Sequence, residues 1–191
     1  MVRAILEGRK TITRRVVSEK HMPLVFAAAL PVLLEACPYG PPGSKLWVRE
    51  SCRADELPSG LDGVRYLADD SFIPIANSEE ASEQWVELAC YGMKKSGRPE
   101  CRTVPSIHMP RWASRILLEI TNVRAEKLSY ISEADAIAEG VNVHPDHHGK
   151  PRDSIYSPVQ AYRDLWEQIN GSGSWAANPF VWVIQFTRVT P

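Results

Sequence analysis

The densest chemistry in the chain lies at Gly8-Arg9-Lys10-Thr11-Ile12-Thr13-Arg14-Arg15, where one amine, two hydroxyls and three guanidiniums fall within eight residues. A lysine leaning from a helix-to-strand junction into a partly desolvated mouth, with arginines beside it, is pushed toward its neutral form and becomes a usable base. A threonine hydroxyl is unreactive until a neighbouring base takes its proton. Lys10 and Thr13, three residues apart, therefore suit nucleophilic catalysis if the backbone bends between them. In an unbroken strand they would face opposite ways. By composition alone the same run reads as a solvated basic turn and edge strand. The metal-like grouping is His144-Pro145-Asp146-His147-His148. Adjacent histidines in a loop seldom converge on one ion without distant ligands, so no metal is assigned.

The elements that must position these groups are marked by periodicity and caps. Val2, Ile5 and Leu6 predict a short helix that Gly8 ends in a left-handed conformation. A strand follows, with Thr11, Thr13 and Arg15 on one face and Ile12 and Arg14 on the other. After the turn residues YGPPGS, Leu46 to Glu50 reads as a strand, and Ile116 to Val123 alternates as a clearer one. Ser132 is an N-cap for a helix that Gly140 closes, and Ser157-Pro158 opens a second carrying Tyr162, Leu165, Trp166 and Ile169 on one face. Phe180 to Val189 is apolar on both faces, as a strand covered on both sides should be. Residues from about 51 to 111 are the least regular and read as an insertion or lid, with short strands expected at Val64 to Leu67 and Trp85 to Ala89. Strands mixed with short helices, without regular alternation, predict an α+β, mainly β fold: a small β-barrel with flanking helices in a single domain spanning 1–191.

Composition bounds the partners. The 191 residues are 44% apolar, which suits one domain with a real core, and the formal charge of -1 argues against bulk electrostatic grip on a long phosphate backbone. A nucleoside ligand or a local patch for RNA stays open. The four cysteines have no CxxC spacing and read as reduced thiols, which makes cytoplasm the expected compartment. Pro23 to Cys37 superficially resembles the apolar part of a signal peptide. It carries Pro31 and Glu35 and falls short of the roughly 20 apolar residues of a membrane span, so no membrane partner is expected.

The string GRKTIT followed by Arg15 resembles the glycine-x-lysine signature with a downstream arginine that marks ASCH domains, β-barrels of the PUA-like superfamily. Within it the chain looks most like small bacterial N4-acetylcytidine amidohydrolases. The resemblance extends to LLEITNVRAEKLSYISEADAIAEGV, from Leu117 to Val141, and to the closing NPFVWVIQF. It implies a PUA-like barrel and carries the catalytic base onto Lys10, the nucleophile onto Thr13 and the proton donor onto Glu139. Glu139, in the last turn of its helix and four residues from Asp135, is expected to favour its protonated form. No cofactor is required. The chain starts inside what should be the first helix of such a domain, and the missing opening strand would leave an edge for the insertion or another chain to cover.

The longer layout, with CPYGPPGSKLWVRE, PSIHMPRWASRI and YRDLWEQINGSGSW, also resembles the ASCH-domain proteins of phage and prophage genomes. Trp47, Trp112, Trp175 and Trp182 are candidates for stacking a base, although most are expected in the core; Trp112, in a proline-bracketed loop, is the first choice. Arg15, Arg49 and Arg111 would hold phosphate or carbonyl oxygens. The expected activity is deacylation of a modified pyrimidine nucleoside, N4-acetylcytidine to cytidine and acetate. The alternatives are a module that binds RNA or a modified base, or a ribonuclease using the same basic cleft.

Overall fold

The structure, a computed structural model, describes residues 1–27, 34, 36–91, 103–141 and 157–190. The chain divides into two compact units, one formed mainly by residues 3–46 and 117–190 and the other by 47–116.

The first unit is built on strands β1 (Ile12–Val16), β2 (Lys45–Trp47), β6 (Leu117–Lys127) and β7 (Phe180–Val189), ordered β1-β7-β6-β2 in one curled sheet. β7 lies antiparallel between β1 and β6. That central place explains its apolar sequence. Val181 and Val183 pack with Ile12, Leu128, Tyr162 and Trp166 on one face. Trp182 and Ile184 pack with Val17, Ile120 and Val123 on the other. β6 changes register between Ile120 and Asn122. The expected strand at Leu46 to Glu50 is shorter than its alternation suggests, because β2 ends at Trp47.

Helices α1 (Val2–Leu6) and α2 (Met22–Ala27) precede the sheet's later strands. The helix at Glu133–Ala138 begins on Ser132, whose hydroxyl accepts the Asp135 N–H, and stops at Glu139. Gly140 follows at φ 82°, in the left-handed region, and a Cβ there would lie 2.9 Å from the Ala4 Cβ and 3.0 Å from the Lys10 Cβ. Only glycine lets the helix end turn this close to Lys10. The helix at Pro158–Asn170 starts on a capping box between Ser157 and Gln160 and buries Tyr162 and Trp166. Among the described residues no helix is long and apolar enough to cross a membrane.

The second unit is more regular than its sequence suggests. Strands β3 (Cys52–Glu56), β4 (Asp62–Tyr66) and β5 (Phe72–Pro74) form an antiparallel meander. Cys52, Ala54, Val64 and Tyr66 share its core with Leu88, Val104, Met109 and Ala113. Trp85 to Ala89, expected as a strand, belongs instead to helix α3 (Glu79–Ala89). The reason is local. Ser78 caps the first turn, which carries Glu79 and Glu80, and Trp85, Leu88 and Ala89 fall at helical spacing against the core. The five helices in chain order are therefore α1, α2, α3, α4 (Glu133–Ala138) and α5 (Pro158–Asn170) among the described residues. The His144 to His148 grouping and Cys101 lie outside the described residues.

Candidate active site

The site grows from the junction between α1 and β1. The Lys10 N–H bonds the Ala4 carbonyl, and the Thr11 N–H bonds the Ala138 carbonyl while its own carbonyl accepts from Phe186. Lys10 and Glu139 thereby face each other in an isolated antiparallel bridge, although 129 residues separate them. The Lys10 ammonium donates to Glu139 Oε2 at 2.5 Å, to the Glu139 carbonyl at 3.0 Å and to the Ile12 carbonyl at 2.8 Å. All three of its donors are committed. The two residues are each 4% exposed. Burial lowers the lysine's pKa from its ordinary value; the Glu139 carboxylate opposes this, while the charges of Arg15 and Arg14 add to it.

Around the pair lies a closed set of charges. Arg14, on the Ile12 face of β1 and 2% exposed, bonds Glu126 Oε1 at 2.9 Å and Asp135 Oδ2 at 2.5 Å through Nη2. Its Nη1 stands 3.5 Å from Glu139 Oε1. Arg124 braces the same two acids, Glu126 at 3.0 Å and Asp135 at 2.5 Å. Burial works against the Arg14 charge, and its bonds to Glu126 and Asp135 outweigh it, so its pKa is raised. The Tyr162 hydroxyl donates to Glu139 Oε1 at 3.2 Å; burial, then the Glu139 charge, hold that phenol above its ordinary range. The electrostatics of Glu139 therefore differ from the expectation that Asp135 and the helix end dominate. Asp135 is neutralised by two guanidiniums, and the nearest charge to Glu139 is the Lys10 ammonium.

A cavity of about 200 Å³ opens onto this cluster, lined by Arg14, Arg15, Glu139, Tyr162, Leu165 and Trp166, among others. Arg15 is exposed and donates to the Arg14 carbonyl. Thr13 is placed differently. It pairs across the strands with Ile184, so it points to the opposite face of the sheet from Ile12 and Arg14. Its Oγ1 is buried with no hydrogen-bond partner among the described residues. No hydrogen bond joins Thr13 to Lys10 there either.

The other predicted binding residues belong to the second unit. Arg49 is exposed, stacks over Trp47 at 4.8 Å and donates to the Ile107 carbonyl. Arg111 is exposed, and Trp112 is half-buried against the second core, where it lines a separate cavity of about 170 Å³ with Tyr91 and His108. Trp182 is core, and Trp175 packs against the Tyr162 core. Sequence reasoning missed Arg14, Glu126, Asp135, Arg124 and Tyr162 as members of the site. Arg14 carried one signal, a charge alternating onto the face of the apolar Ile12; the acids that pair with it come from 112 and 121 residues away.

Comparisons with protein-family models, curated proteins and solved structures return no match.

Proposed function

We propose that the chain is an ASCH-type, PUA-like amidohydrolase that removes the acyl group from an acylated pyrimidine nucleoside, with N4-acetylcytidine as reference substrate. One observation carries the reading: a buried amine and a buried carboxyl group share a 2.5 Å hydrogen bond in the wall of a small polar cavity. Moving the proton along that bond turns ammonium and carboxylate into neutral amine and carboxylic acid with no change in net charge. Burial favours that neutral form of the pair. It supplies a base and an acid together, which is what amide cleavage by a hydroxyl needs.

The steps balance as follows. Lys10 releases one of its backbone contacts and takes the Thr13 hydroxyl proton as Oγ1 attacks the acyl carbonyl. The amide C–N bond breaks, Glu139 gives its proton to the departing amine, and the ion pair is restored. A second proton shift from Lys10 to Glu139 resets the pair. Water then attacks the ester, its proton goes to Lys10, and the Thr13 oxygen leaves with the Glu139 proton. Arg15, at the cavity rim, orients the substrate. The cavity falls below the roughly 300–1,000 Å³ of ordinary ligand pockets, which favours a single base and acyl group over a polymer.

Chromatographic assay of cytidine release from N4-acetylcytidine tests the proposal. Wild type turns over, and Lys10→Ala, Thr13→Ala and Glu139→Gln each lose activity by at least about 100-fold. Folded wild type that releases no cytidine contradicts the reading and directs attention to binding and cleavage of RNA.

A further inference from the structure

Hydrogen-bonding capacity left unused around the cavity says what kind of group it takes. Three buried side-chain donors in its lining residues have no partner among the described residues: Arg14 Nε, Arg14 Nη1 and Trp166 Nε1. Buried polar groups are ordinarily satisfied, because an unpaired one forfeits its bond to water. Here the unpaired atoms of the lining are all donors, so their complement is an acceptor. The ionic groups behind them cancel: Lys10, Arg14 and Arg124 stand against Glu126, Asp135 and Glu139. Arg15 adds charge only at the exposed rim, where solvent and salt screen it. A donor wall without net charge suits a neutral oxygen better than an anion.

We infer that Arg14 and Trp166 form a carbonyl-binding wall that positions the substrate of this cavity. The inference rests on the hydrolase reading for the identity of the carbonyl, and on the unpaired donors alone for its existence. Two carbonyls are available in an acylated pyrimidine nucleoside, that of the ring and that of the acyl group. Arg14 is locked in place by Glu126 and Asp135, so its remaining N–H groups are preorganised for either.

The test follows the indole N–H resonance of Trp166 in ¹⁵N-labelled full-length protein, assigned by its disappearance in Trp166→Phe. That variant keeps an aromatic ring and removes the donor. The resonance moves on titration with cytidine if the wall holds the ring carbonyl, or with acetamide if it holds the acyl carbonyl; either result supports the wall. A resonance unmoved by both overturns it, as does one that inorganic phosphate moves equally well. In turnover, Trp166→Phe lowers kcat/KM by roughly 2- to 10-fold. The loss falls in KM for a ring contact, or in kcat for an acyl oxygen whose charge grows in the transition state. Normal kcat/KM in the variant, with wild type active, removes the wall and leaves the hydrolase standing. A moving resonance without cytidine release does the reverse.

Discussion

Lys10 and Glu139 illustrate how a buried ion pair serves chemistry more than stability. Bringing two charges out of water costs several kcal/mol each, and only their contact and the surrounding hydrogen bonds offset it. Removing one partner strands the other, so Lys10→Met should lose about 3–5 kcal/mol in urea unfolding, while Glu139→Gln, which keeps hydrogen-bonding atoms in place, should lose less. Equal losses would mean that the pair packs as a neutral unit of little consequence. The residue types at Lys10 and Thr13 were legible as a base and a nucleophile because their chemistry is local. The Arg14, Glu126, Asp135 and Arg124 network was not, because pairings across more than 100 residues leave no periodic trace.

The elements that hold this site were read best where caps and apolar spacing agree. Ser132 and Ser157 mark the starts of α4 and α5, and β7 runs over the full predicted Phe180–Val189. The weakest reading was α3, whose charged face hid three core residues and suggested a strand. The turn after α4 bears most directly on the site. Gly140→Ala places a Cβ against Ala4 and Lys10 at positive φ, so it should destabilise the protein by at least about 1–2 kcal/mol. It should also slow cytidine release by displacing Lys10 from Glu139. Unfolding and turnover measured on the same preparation check both; full activity would show that the turn does not set the geometry of the pair.

Two units in one chain can be probed separately through their own ionic groups. In the second unit Arg115 grips Glu50 through two contacts of 2.8 Å and also binds Asp69. Hydrogen bonds from Arg115 hold the Asp69 pKa down to about 2, from an ordinary 3.8. Because the folded value is the lower one, this group's contribution is complete above the ordinary value and is lost as pH falls toward about 2. Asp69→Asn should therefore lower stability at pH 6 and leave the variant and wild type nearly equal near pH 2, read as urea midpoints across that range; an unchanged gap would remove Asp69 from the acid response. For the first unit the decisive experiment is rapid quench of wild type mixed with excess N4-acetylcytidine, followed by peptide mass mapping. The account predicts an acetyl group on the Thr13 peptide of wild type and none in Lys10→Ala. Cytidine released with Thr13 never acetylated would contradict it.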